Sequence, residues 1–367
     1  MRIPVYTPDL SGNEVAYAED AIRSGWISSI GQYVERFERG LSNVTGSAGS
    51  VSVCNGTVAL HLALHCLDIG PGDEVIVPTF TYIASVNTIA QTGAKPVFAD
   101  SRASDWLLDP ESFRSRITAR TKAVMPVHLF GAICDPAIGE IAREHGLAVV
   151  EDCAEALGSY QNGRHVGADA DVATFSFFGN KTITTGEGGA VIARDPALLA
   201  RMRKVKGQGQ SLTQRYWHDE LGFNYRMTNV AAAIGTAQLE RLDSILSRKR
   251  EIAALYQRQL CDQFSFQELA TGAASSNWLV SALLPRGCDR AAVMAALAAK
   301  GIDSRPVFFC AHHMPMYRTE EHFPVAEDIS ARGISLPSYP GLTDEQVKEV
   351  SSALNKAVAS QQNTATA

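Results

Sequence analysis

Phe175-Ser-Phe-Phe-Gly-Asn-Lys-Thr-Ile-Thr-Thr-Gly-Glu-Gly-Gly189 sets a single lysine, Lys181, between an aromatic run and a loop of hydroxyl residues and glycines. Upstream, Asp152 closes the apolar run Gly146-Leu-Ala-Val-Val-Glu-Asp152. A lysine that forms a Schiff base and a carboxylate that pairs with a pyridinium nitrogen are what a protein supplies to pyridoxal 5′-phosphate (PLP). The serines, threonines and glycines around Lys181 suit a loop that holds the ring and its phosphate. A PLP enzyme is the first expectation.

Around this stretch, short β-branched runs alternate with helical patterns from about residue 45 to 195. Glu74–Pro78, Lys95–Ala99, Ala123–Val127 and Leu147–Val150 read as strands, and Thr57–Leu67, Ile83–Gln91 and Asp135–His145 as helices. That alternation predicts an α/β fold with a mostly parallel central sheet covered by helices. Asp152 then stands at the carboxyl end of a strand, where open α/β sheets bind ligands. One long helix is expected from Asn229 to Tyr256, with Arg248-Lys-Arg250 as a solvated face. A strand over Asn277–Leu284 and a helix over Arg290–Ala299, stopped by Gly301, predict a smaller C-terminal α+β domain. The division expected is 1–250 for the large domain and 251–367 for the small one. The tail from Ser360 to Ala367 is polar and small, and is expected to fray.

The 367 residues are enough for two domains, and 46% hydrophobic with 20% charged is ordinary for a globular chain. A net charge of -6 offers no basic footprint for nucleic acid. No run approaches the roughly 20 apolar residues of a membrane span, and the N-terminus lacks a signal-peptide core. Seven scattered cysteines suggest neither a disulfide framework nor a zinc site. A cytoplasmic address, with no metal, is expected.

Each candidate has an ordinary alternative. Asp152 could simply cap the turn that begins at Ala154; its pairing with Lys181 favours chemistry. Asn55-Gly56-Thr57 opens an apolar helix, and the N-terminus of a helix attracts anions. Thr57 and Ser176 are therefore phosphate candidates, although a plain N-cap is the commoner role. Tyr82 could lay its ring on the cofactor, although an aromatic there is more often core, and Glu155, three residues after Asp152, could reach the ring hydroxyl or simply lie exposed. Asn224 and Arg226, in Gly222-Phe-Asn-Tyr-Arg-Met-Thr-Asn229, could bind anions or belong to an ordered loop. Arg305 and His312 sit in an aromatic, methionine-rich stretch and are candidates for substrate contact. Adjacent His312 and His313 diverge on any regular element, so a two-histidine metal site is not expected.

Cys54-Asn-Gly-Thr57, Glu151-Asp-Cys-Ala-Glu155, Phe177-Phe-Gly-Asn-Lys181 and Gly222-Phe-Asn-Tyr-Arg-Met227 occur in the order found in one family. The chain resembles the sugar aminotransferases of the DegT/DnrJ/EryC1/StrS family from Trp26 to Ser338. The runs Thr81–Asn87, Tyr216–Asp219 and His313–Tyr317 match most closely the branch that aminates C4 of a GDP-linked sugar.

The resemblance implies the fold-type I PLP architecture. It makes Lys181 the Schiff-base lysine and Asp152 the partner of the pyridine nitrogen. Tyr82 would stack on the ring, Glu155 would lie near its hydroxyl, and Asn55, Gly56, Thr57 and Ser176 would surround the phosphate. Asn224 would come from the second subunit of a homodimer with shared sites. The substrates implied are a nucleotide-linked keto sugar and L-glutamate. Members that replace the lysine with histidine are dehydratases; Lys181 is retained here. Two positions depart from the pattern. Cys310-Ala311 precede His312 where a proline and an aliphatic residue are expected, and many members carry Gln or His in place of Glu155.

Overall fold

The structure is a computed structural model that describes residues 2–211 and 213–365. In chain order, β1 (Ser50–Val53), β2 (Glu74–Pro78), β3 (Lys95–Ala99), β4 (Thr121–Val124) and β5 (Ala148–Asp152) come first. A short hairpin, β6 (Tyr160–Gln161) and β7 (Arg164–His165), precedes β8 (Val172–Ser176) and β9 (Gly189–Ala193). Seven of these strands form one sheet in the order β1-β9-β8-β5-β4-β2-β3. Its pairings are parallel from β3 through β8, as strand–helix alternation requires. β9 alone runs against its neighbours, β8 and β1. β1, β8 and β9 add to the four strands that the residue pattern predicts.

This topology brings the chemistry to one edge. β5 and β8 are adjacent and parallel, with Asp152 opposite Thr174. The loop that leaves the carboxyl end of β8 and returns as β9 is the Lys181 loop. β1 points the same way and feeds the helix Gly56–Cys66. That helix buries Ala59, Leu60, Leu62, Ala63, Leu64 and Cys66, and fully buried leucines contribute roughly 1.5–3 kcal/mol each.

β10 (Ala273–Ala274) pairs with β6. A second sheet, β11 (Val280–Leu283), β12 (Arg305–Pro306) and β13 (Gly333–Leu336), is antiparallel in the order β11-β13-β12. Its core gathers Tyr256, Leu284, Leu336, Val347 and Leu354, together with Ile3 from the N-terminus. Ile3 also bridges Ile302. No helix of the described residues is long and apolar enough to cross a membrane.

Three expectations are corrected. The long helix is two, Asn229–Glu240 and Leu242–Gln259. It breaks at Arg241, whose guanidinium holds Asp9 through bonds of 3.0 and 2.7 Å. The tail does not fray at Ser360, because the last helix spans Asp344–Ala365; residues 366–367 lie outside the described residues. Nor is Arg248-Lys-Arg250 solvated throughout: Arg250 is exposed and Arg248 half-buried, but Lys249 points inward. Lys249 is 1% exposed, and its Nζ donates to the carbonyls of Trp278 (3.0 Å) and Ser338 (2.8 Å).

Burial drives the Lys249 amine down to about 7 from an ordinary 10.5. Above about pH 7 the folded chain releases a proton that the unfolded chain keeps until about 10.5, so this group makes stability rise with pH across that window. Lys249→Met should compare best with wild type near pH 6. Wild type should gain on it by about 1–2 kcal/mol between pH 7 and 9. Urea unfolding at three pH values checks this; a constant gap would show that Lys249 does not titrate there.

Candidate active site

A cleft of about 470 Å³ opens where the carboxyl ends of β5 and β8 face the second sheet. Asn55, Gly56, Thr57, Tyr82, Asp152, Glu155, Ser176, Lys181 and Arg305 all line it. A cavity of about 560 Å³ lies across β5, lined by Glu151 but not Asp152, since successive strand residues point to opposite faces. The lysine and both candidate carboxylates belong to the smaller space.

Asp152 is buried, and both of its oxygens are held. Oδ2 accepts from Ser85 Oγ at 2.7 Å and Oδ1 from the Ala154 N–H at 3.0 Å. Thr81 Oγ1 lies 3.2 Å from Ser85 Oγ behind it. The carboxylate is thus fixed in direction before anything binds.

Glu155 is 3% exposed. Its Oε2 accepts from the Phe130 N–H at 2.9 Å, and its Oε1 lies 3.6 Å from Lys181 Nζ. Burial pushes this carboxyl up to about 7, against the attraction of Lys181 and the Phe130 N–H. The backbone of the lysine loop is tied on both sides. Tyr6 Oη donates to the Lys181 carbonyl at 2.5 Å, and Trp278 Nε1 to the Asn180 carbonyl at 2.6 Å.

On the far side of the cleft the Gly56–Cys66 helix begins. Asn55 caps it, Oδ1 accepting from the Val58 N–H at 3.0 Å. First-turn N–H groups have no partner within a helix, so this end presents donors to an anion. Gly56 is required by a close approach: a Cβ there would lie 2.8 Å from Ser176 Cβ and 3.1 Å from Ser176 Oγ. The helix end and the Ser176 hydroxyl thereby form one cradle.

Residues 8–355 match the DegT/DnrJ/EryC1/StrS aminotransferase family. The chain belongs to this family. GDP-perosamine synthase of Escherichia coli O157:H7 is 48% identical to it over 356 residues, covering 96% of this chain and 98% of that protein. GDP-perosamine synthase of Vibrio cholerae is 48% identical over 355 residues, covering 95% and 97%. Among solved structures, Streptomyces venezuelae DesV is 34% identical with a TM-score of 0.91, covering 97% of this chain and 98% of that one. The PLP form of the Streptococcus pneumoniae sugar aminotransferase Spr1654 is 28% identical with a TM-score of 0.93, covering 98% and 100%.

For a DegT/DnrJ/EryC1/StrS aminotransferase the donor set fits PLP. A lysine, a fixed carboxylate and a cradle for a phosphate face one space. Tyr82, exposed at the N-terminus of the helix Ile83–Gln91, sits beside Phe308, ring centroids 5.7 Å apart.

Three candidates lie elsewhere. Asn224 bridges Gly207 and Arg226 bridges Val53, and neither lines its own chain's cleft. His312 is also outside it. It is 1% exposed, with Nδ1 2.6 Å from Thr79 Oγ1 and Nε2 3.2 Å from Glu327. His312 joins a buried network that ties the Ala311–His313 turn to the end of β2. Residue reasoning missed Trp278, Phe130 and Ser85. Phe130 carries one local oddity, a left-handed φ of 59°, which only a backbone description displays.

Two outcomes are expected. Gly56→Ala should leave a folded protein that binds PLP at least about tenfold more weakly, since Ser176 or the helix must move; titration of the apoprotein with PLP reads this. Glu155 in the folded chain holds a proton that the unfolded chain gives up, so its contribution is full below pH 4.5 and is lost as pH rises through about 7. Thermal melts of Glu155→Gln apoprotein across pH 4.5–8 should therefore fall less with pH than those of wild type. Parallel curves would mean that Glu155 stays ionised.

Proposed function

We propose that this chain transfers the amino group of L-glutamate to C4 of GDP-4-keto-6-deoxy-D-mannose, making GDP-perosamine for surface polysaccharide. The observation that carries the reading is the 48% identity to GDP-perosamine synthases over nearly the whole chain, joined to a cleft that holds Lys181, Glu155 and Asp152 together.

PLP supplies an electrophilic carbon and an electron sink. Asp152, aimed by Ser85 and the Ala154 N–H, keeps the pyridine nitrogen protonated. The Gly56 end of the helix, with Thr57 and Ser176, receives the phosphate. With the cofactor bound, Lys181 Nζ would carry the proton from Cα of glutamate to the cofactor's reactive carbon and, in the second half of the cycle, carry one from that carbon back to C4 of the sugar. General acid–base transfer of this kind is worth about 10²–10⁴ in rate. Arg305, exposed at the mouth on β12, is placed to meet an anionic substrate group.

A homodimer completes the site in this reading. Asn224 and Arg226 lie outside their own cleft, and the neighbouring segment exposes Tyr216, Trp217 and Leu221, an apolar surface of the kind that subunit contacts cover. All seven cysteines are free, as suits a cytoplasmic enzyme.

The test is a visible spectrum of the PLP-loaded protein. L-glutamate should bleach the lysine-linked band, and GDP-4-keto-6-deoxymannose should restore it. Lys181→Ala should show no such band and lose at least about 10²-fold in turnover. Bleaching without recovery would redirect the search to other nucleotide sugars. Full activity in Lys181→Ala would end the proposal.

A further inference from the structure

Trp278 precedes β11 and reaches back into the cleft, where it is 4% exposed. Two contacts fix its plane and a third holds its backbone. Nε1 donates to the Asn180 carbonyl at 2.6 Å, the ring stacks on Phe130 with centroids 6.3 Å apart and planes 4° apart, and its own carbonyl accepts from Lys249 Nζ at 3.0 Å. On the indole face so fixed lies Lys181 Nζ, 4.1 Å from the ring centroid. Glu155 Oε1 stands 3.6 Å from the same nitrogen.

An ammonium over an indole face is attracted by the ring quadrupole, most strongly where water is excluded, so the face holds the amine best once it has taken up the proton that it carries. On the reading of Lys181 as the Schiff-base lysine, the amine is set free in every half-reaction and must remain within reach of the carbon whose proton it carries. A lysine tail freed in an open cleft has several rotamers to explore, and each one away from the reacting carbon lowers the rate.

We propose that Trp278 is a positioning residue. Its indole face, with Glu155 opposite, is the resting place of the Lys181 amine whenever that amine is not bonded to the cofactor. The Nε1 bond to Asn180, the residue before Lys181, sets the platform and the lysine in a fixed relation. Lys249 anchors the backbone from which the platform projects. The inference rests on the aminotransferase reading of Lys181 given above.

The experiment separates ring face from hydrogen bond. Trp278→Phe keeps a face and loses the donor; Trp278→Gln keeps a donor and loses the face. Each is followed through the glutamate and keto-sugar half-reactions in single turnover, with glutamate and α-deuterated glutamate, and through the rate at which apoprotein captures PLP. Trp278→Gln should slow both half-reactions and PLP capture about 2- to 30-fold, the range of a cation–π contact, and raise the deuterium isotope effect. Trp278→Phe should stay within about threefold of wild type.

A merely structural role would lower the melting temperature without raising the isotope effect. Where Trp278→Gln does not fold, Trp278→Leu takes its place in the comparison. The inference is overturned if the face-less variant matches wild type, or if Trp278→Phe is as slow as Trp278→Gln. Absence of a lysine-linked band in wild type would instead sink the reading of Lys181 itself.

Discussion

Asp152 is a carboxylate taken out of water at the end of a parallel strand, and the surrounding structure serves to keep it pointed. Burying such a group without partners is costly, yet the hydroxyl of Ser85 and the N–H of Ala154 occupy one oxygen each. The strand that carries it is pinned by β4 and β8 on either side. From β8 the chain turns directly into the Lys181 loop. A displacement of β5 relative to β8 would therefore separate the carboxylate from the amine, and the parallel core sets the distance between them.

The second sheet enters the site through backbone groups more than through charges. Tyr6 and Trp278 each hold a carbonyl of the lysine loop. Lys249 ties Trp278 to Ser338, and its amine lies 5.7 Å from the centroid of the Tyr6 ring. A buried amine serving two carbonyls suits a neutral donor, which has two N–H bonds to give. The N-terminal residues, whose Ile3 packs in the second core, belong to the same arrangement.

Much of this was legible in the residues. β2 and β3 coincide with Glu74–Pro78 and Lys95–Ala99; β2 is buried on both faces and reads as a continuous apolar run, while β3, at the sheet edge, buries only its last two residues. Asn-Gly-Thr before an apolar helix marked a helix start that could receive an anion, although a plain N-cap is the commoner role of such a motif; the close approach of Gly56 to Ser176 is seen only in the fold. Arg241 was not legible: no Pro or Gly marks the break there, and its partner Asp9 is far away in the chain. Lys249 reads as one of three basic residues on a helix, and only packing shows which of the three points inward. His312 has a residue type that invites function, but Thr79 and Glu327 claim both of its nitrogens. Trp278 sits in an apolar segment where a tryptophan is unremarked; its value comes from the ring that stacks on it and the amine above it.

The two walls of the cleft come from different parts of the chain. Asn55, Asp152, Ser176 and Lys181 stand on the seven-stranded sheet, while Arg305, Phe308 and Ser335 come from the second sheet and its loops. Substitutions on the second wall can reshape what is admitted without touching the groups that carry protons. Such a division lets descent retain one chemistry and change its clientele, so that drift in the C-terminal third of the sequence, Trp278 apart, would alter the sugar accepted before it altered the reaction performed.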